Sequence, residues 1–249
     1  MRPKAREKLM RKWLTVDRID YCDHIEELAA LKLTPSERQE LGQWLLVGPE
    51  KELVQAWTGL MGRSPDRTYL PVLVKCFDTD NAVMAECVVR ALIQGDYPGA
   101  LEIIFACDRG LKAAGDELPW ELSNRMHELT PAMQRKFAQL FCQRFVNFPE
   151  YFETADGNRH PPCLLCQDDA WLHALAAIEY TDENVEKTLL WVWDNLVHRT
   201  QDEYIVLTAM AAHPRPSYKK IFNAYSRNRT IDLRELAQAG LEGLESQGK

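Results

Sequence analysis

The fold turns on one stretch, Leu70-Pro71-Val72-Leu73-Val74-Lys75-Cys76-Phe77-Asp78-Thr79-Asp80-Asn81-Ala82-Val83-Met84-Ala85-Glu86-Cys87-Val88-Val89-Arg90-Ala91-Leu92. Two apolar runs flank a short polar break, Asp78-Thr79-Asp80, so the segment reads as two helices joined by a tight turn. Asp80 is placed to cap the orphan amides that open the second helix. Beyond it, Val83, Cys87 and Ala91 form one apolar row, and Met84, Val88 and Leu92 form another. A helix that is apolar on two sides must be sandwiched between neighbours, which is what a stacked array of helix pairs requires.

The same grammar extends in both directions. Upstream, Thr34-Pro35-Ser36-Glu37 combines a capping-box pattern with proline at the first helical position, ahead of Leu41, Trp44 and Leu45 at helical spacing. A second run after Pro49, Leu53, Val54, Trp57, Leu60 and Met61, is expected to end at Gly62. Tyr69–Phe77 with Asn81–Ile93 makes the next pair, and Ala100–Leu111 with Trp120–Leu129 another. Each pair spans about 30 to 35 residues, the period of helical solenoid repeats. Thr130-Pro131 opens an amphipathic helix through Met133, Phe137, Leu140, Phe141 and Phe145 that stops near Pro149. Later stripes are Val185 to Val197, Tyr204 to Ala212, and Leu233 to Leu244. No window alternates like a half-buried strand, so essentially no sheet is expected.

The quoted hairpin resembles a HEAT repeat. In that family a leucine-proline helix ends in an aspartate-containing turn, and a second helix starts at valine and runs through small residues to alanine-leucine. Leu70, Pro71 and Leu73 match the first helix, Asp78 and Asp80 the turn, and Val83, Val88, Ala91 and Leu92 the second. Cys87 departs from the family's usual alanine. The explicit match covers residues 70–92. It implies an all-α chain, a right-handed α-α superhelix of stacked antiparallel helix hairpins whose second helices line a concave surface. In domain terms this gives an N-terminal repeat array with a basic capping helix over 1–147, an irregular loop at 148–162, and a C-terminal array over 163–249. In the loop, Asp156-Gly157-Asn158 and Pro161-Pro162 break helical periodicity, and the segment either divides two sub-arrays or projects as a binding loop from one continuous solenoid.

Composition narrows the partners. The 249 residues carry a net charge of −7, yet Arg2, Lys4, Arg6, Lys8, Arg11 and Lys12 against Glu7 make the first 16 residues +5, leaving −12 for the rest. An acidic body repels phosphate backbones and favours a basic protein or peptide partner over nucleic acid. The basic start, with Leu9, Met10, Trp13 and Leu14 on one side, reads as an end cap, a membrane-surface helix, or a segment docking onto acidic surface. No apolar run reaches the length of a secretion signal core or a membrane span, so no membrane insertion is expected. Seven scattered cysteines, at 22, 76, 87, 107, 142, 163 and 166, lack the density of a disulfide framework and point to a reducing, cytoplasmic setting.

Three constellations invite chemistry. His160, Cys163, Cys166 and His173 have workable spacing for zinc, but leucines separate the thiols where knuckles carry turn residues; free thiols are the plainer reading and no metal site is assigned. Cys166, Asp169 and His173 would share one helical face, whereas nucleophile and base normally converge from different elements, so no catalytic residue is assigned either. Gly110 and Gly115 have phosphate-loop spacing, yet Asp116-Glu117 follows where Lys-Ser/Thr is needed, which leaves no cofactor site. Trp44, Trp57, Trp171 and Trp193 fall on apolar stripes; Trp191 lies off its row and faces either a neighbouring repeat or solvent, where it would anchor a partner. The sequence therefore reads as a non-enzymatic protein-protein interaction module, an adaptor, scaffold or inhibitor, with an acidic concave surface. The competing reading is a HEAT-like nucleic-acid binder of DNA-glycosylase type, which demands a basic stripe on that surface.

Overall fold

The computed structural model describes residues 33–47, 51–146, 148, 152–153, 159–160, 164 and 166–247. The chain divides into two compact units, Met1–Glu121 and Leu122–Lys249. Apart from one two-residue pairing, the regular structure described is helical.

In the first unit, α1 (Pro35–Leu46) and α2 (Lys51–Arg63) precede a 3-10 turn at Arg67–Tyr69, then come α3 (Leu70–Phe77), α4 (Ala82–Gln94), α5 (Ala100–Ala106), α6 (Asp108–Ala113) and α7 (Glu117–Leu122). Helices alternate in their packing: α1 lies along α3 and α2 along α4, in addition to the α1–α2 and α3–α4 contacts between chain neighbours. The helix ends at Arg63, one residue past the expected Gly62, and the α2–α4 approach is close because Gly62 carries no side chain; a Cβ there would stand 3.2 Å from the Ala91 Cα. Tyr97 seals the same region, its hydroxyl donating 2.9 Å to the Met61 carbonyl. The quoted hairpin forms as expected, and its two apolar rows bury Met84, Cys87, Val88, Ala91 and Leu92. Its cap differs from the expectation. Asn81 Oδ1 accepts from the Met84 amide at 3.1 Å, while Asp80 reaches out to the Arg109 guanidinium at 2.5 Å. The side chain adjoining the first helical residue has the shorter path to the third amide, so it takes the cap.

Two helices expected to be continuous are interrupted. Cys107, at φ −100° and ψ 94°, breaks Ala100–Leu111 into α5 and α6, and Trp120–Leu129 becomes the end of α7 followed by a 3-10 stretch at Ser123–Glu128.

The second unit contains α8 (Pro131–Val146), α9 (Cys166–Ala176), α10 (Glu183–Leu196), α11 (Thr200–Ala212), α12 (Lys219–Tyr225) and α13 (Ile231–Gln247). Alternation recurs: α8 lies along α10, α9 along α11, and α11 along α13. Because α11 is covered by α9, α10 and α13, it buries Asp202, Ile205, Val206, Leu207, Ala209 and Met210 around most of its circumference. Its first turn is satisfied by Asp202, which accepts from the Arg199 amide at 3.0 Å and the His198 amide at 3.2 Å. Asp182 caps α10 through the Asn184 and Val185 amides, both at 2.9 Å. Gln134 of α8 accepts from the Glu179 and Tyr180 amides, fixing the connection that leaves α9. Within the segment expected to be irregular, Phe152–Glu153 pairs antiparallel with Arg159–His160, a ladder too short to build a sheet face.

No helix among the described residues is long and apolar enough to cross a membrane. The basic capping helix expected at the N-terminus lies outside the described residues.

Candidate functional site

The residues singled out for chemistry do not assemble into a described reactive centre. Cys163 and the side chains of His160 and Cys166 lie outside the described residues; His173 is exposed on α9. Among the described residues no group of three metal-capable side chains converges. Asp169 is one turn from His173, and its carboxyl is pushed above the usual carboxylate range, first by burial and then by the Asp202 charge, with His173 pulling it down. Gly110 and Gly115 bracket helix instead of a phosphate cradle. Gly110 sits inside α6 because the Phe77 carbonyl and ring occupy the space a side chain would need.

The thiols at Cys76, Cys87, Cys107 and Cys142 are free, and burial pushes Cys76 up to about 11, which makes it a packing group and not a nucleophile. Burial raises Cys87 and Cys142 as well, against a counteracting hydrogen bond from Thr58 and Thr188 respectively.

What the second unit does assemble is a separation of charge between two layers. The mutually stacked helices α9, α11 and α13 carry Asp168, Asp169, Asp202, Glu203, Asp232, Glu235, Glu242 and Glu245 against one cation, Arg234. Asp168 and Asp202 are internal, bonded to Arg144 and Arg199, so they hold the structure together and do not face a ligand. Asp232, Glu235, Glu242 and Glu245 are exposed. The helices of the other layer, α8, α10 and α12, carry Arg135, Lys136, Arg144, Lys187, Lys219 and Lys220 against Glu183, Glu186 and Asp194.

The tryptophans sort as the stripes implied where they are described. Trp57 and Trp171 are buried, Trp171 stacked on Phe137 at 5.0 Å, and Trp193 is half-buried with its ring edge-on to Tyr225 at 5.4 Å. The Trp44 side chain is outside the described set. Trp191 faces solvent, 39% exposed, in a cavity of about 400 Å³ lined by Phe145, Val146, Lys187 and Thr188. It belongs to the α8–α10 layer, not to the layer rich in carboxylates.

Sequence reasoning passed over one further group, in the first unit. Arg90 of α4 is shared between Glu117 and Glu121 of α7, and Trp120 between them is 52% exposed. Glu121 is raised by desolvation ahead of any other influence, while Arg90 draws it back. The separation of about 30 residues between Arg90 and its partners hides this network from any local pattern.

Comparison with protein-family models, with curated proteins and with solved structures finds no match to the chain.

Proposed function

We propose that this chain is a non-enzymatic protein-binding module. Its helix pairs are HEAT-like units of a right-handed superhelix, and its second helices present a concave acidic face to a basic segment of another protein. The role is that of an adaptor, scaffold or inhibitor in the cytoplasm. The observation that carries this reading is the charge of α13, where the exposed carboxylates Asp232, Glu235, Glu242 and Glu245 stand against the single cation Arg234. Such a surface steers a cationic partner during encounter and excludes polyanions. The alternate packing of helices in both units supports the repeat reading, since each pair gains its cover from the pair before and after it. A nucleic-acid role is disfavoured by the absence of a basic stripe on these helices among the described residues.

The test is fluorescence anisotropy with three labelled probes: a lysine-rich peptide, its glutamate-rich counterpart, and a DNA duplex. The lysine-rich probe binds best, its affinity falls as salt rises, and the double variant Glu235→Lys, Glu242→Lys weakens it by about tenfold or more. Tighter binding of duplex or of the glutamate-rich peptide, or indifference to the double variant, would reject the assignment.

A further inference from the structure

Helix α7 is only six residues long, and a charged group ties it to α4. Its apolar side turns inward at Leu118, which is fully buried. Beside it, Glu117 and Glu121 stand one turn apart, the spacing at which like charges on a helix oppose each other. Both carboxyls reach the same guanidinium: Arg90 Nη2 donates to Glu117 Oε1, and Arg90 Nε donates to Glu121 Oε1 at 3.0 Å. Those two nitrogens form one edge of the guanidinium fork, which ordinarily takes both oxygens of a single carboxylate. Here two separate carboxyls divide it, and they come within hydrogen-bonding reach of each other. An ionised carboxylate only accepts, so a hydrogen bond between the two needs a proton on one of them.

Charge points the same way. Two carboxylates against one guanidinium leave a negative charge over, and water gives limited relief, since the Glu117 and Glu121 side chains are 22% and 14% exposed. On the same two helices Glu86 and Asp116 add negative charge, and the nearby Cys87 thiol is pushed up by burial. Of the helices packed on α4, α2 carries Arg63, α3 Lys75 and α5 Glu102, while α6 carries Asp108, Lys112 and Arg109, the last engaged by Asp80. Burial acts on Glu121 ahead of Arg90 and Glu117, and it favours the neutral acid.

We propose that Arg90, Glu117 and Glu121 are a one-proton latch between α4 and α7, in which two carboxyls share a guanidinium and a proton, and which closes more firmly as mild acid supplies that proton. Protonation leaves one carboxyl donating to the other and one negative charge facing Arg90, so charge balances within the group. The folded chain then binds this proton more readily than the unfolded chain does. The latch therefore contributes least at neutral pH, and its contribution grows as the pH falls through the folded midpoint toward the ordinary 4.5. It is independent of the acidic face and of any partner.

The experiment uses the full chain, labelled with carbon-13 at the glutamate carboxyls, with native protein, Glu121→Gln, Glu117→Gln and the exposed control Glu102→Gln compared from about pH 7 to about pH 4.5. The carboxyl resonance lost in Glu121→Gln titrates above 4.5 in the native chain, and Glu117→Gln moves that titration down by removing the like charge. In urea unfolding, Glu121→Gln has the higher midpoint at neutral pH and converges on the native chain as the pH falls, whereas Glu102→Gln runs parallel to it throughout. The titration is read on the native chain, so it stands even if a variant folds poorly. The proposal is overturned if the Glu121 resonance titrates at or below 4.5, if Glu117→Gln leaves that titration in place, or if Glu121→Gln keeps a constant separation from the native urea midpoint.

Discussion

Adding one methyl group at Gly240 of α13 tests whether the packing of α12 on α13 is as close as it stands. A Cβ there would lie 2.5, 2.6 and 2.7 Å from Cζ, Cε2 and Cε1 of Phe222, so the ring must retreat by about an ångström to reach ordinary contact. Phe222 is fully buried and held edge-on by Tyr218 at 6.1 Å, which leaves it little room. Overpacking of this kind costs about 1–3 kcal/mol. Against it stands the helix-propensity gain of alanine over glycine, about 1 kcal/mol in a helix interior. Gly240→Ala is therefore neutral to destabilising, by roughly 0–2 kcal/mol, the sum of those opposing effects. Urea unfolding followed by circular dichroism measures it. Ala239→Gly, at a solvent-facing position of the same helix, calibrates the propensity effect and costs about 1 kcal/mol. With Phe222→Leu in the background, the ring tip is gone, and Gly240→Ala becomes neutral or stabilising; the cycle isolates the contact. A stabilising Gly240→Ala in the native background would show that α12 does not press on α13 here, and the reasoning would fail.

Two further outcomes follow from the same structure. Asn81→Ala costs about 1 kcal/mol by removing the bond to the Met84 amide, whereas Asp80→Ala, which removes only an exposed pair with Arg109, costs less; equal losses in thermal or urea unfolding would return the cap to Asp80. His213 is buried with Nε2 donating 2.8 Å to the Leu175 carbonyl, and burial, aided by Arg215, holds its pKa below the ordinary 6.5. The unfolded chain therefore binds this proton first, so stability is fully present above about 6.5 and declines as the pH falls below it; a His213→Asn chain that loses stability as steeply between neutral and mildly acidic pH would show that His213 is not responsible.

The positions of α8, α10, α11 and α13 were legible in the order of residues, because apolar spacing and breakers such as Pro131 and Pro149 act within a few turns. The net acidity of the body was legible too, being a sum that needs no coordinates. The packing roles of Gly62 and Gly110 were not. Gly62 adjoins the helix end that its sequence marks, and Gly110 had only phosphate-loop spacing, yet each is an opening for a group about 30 residues away, Ala91 for the first and Phe77 for the second. The fate of Trp191 also waited on packing, since an off-row position fits a neighbouring helix as well as it fits water. Charge divided between the two levels: the exposed carboxylates Asp232, Glu235, Glu242 and Glu245 all fall on α13 and were legible in its sequence, whereas packing decided that Asp168 and Asp202 turn inward onto Arg144 and Arg199. Short-range periodicity determines where helices form; which of them become neighbours is decided by the burial that neighbouring helices complete for one another, and that is a property of the folded chain.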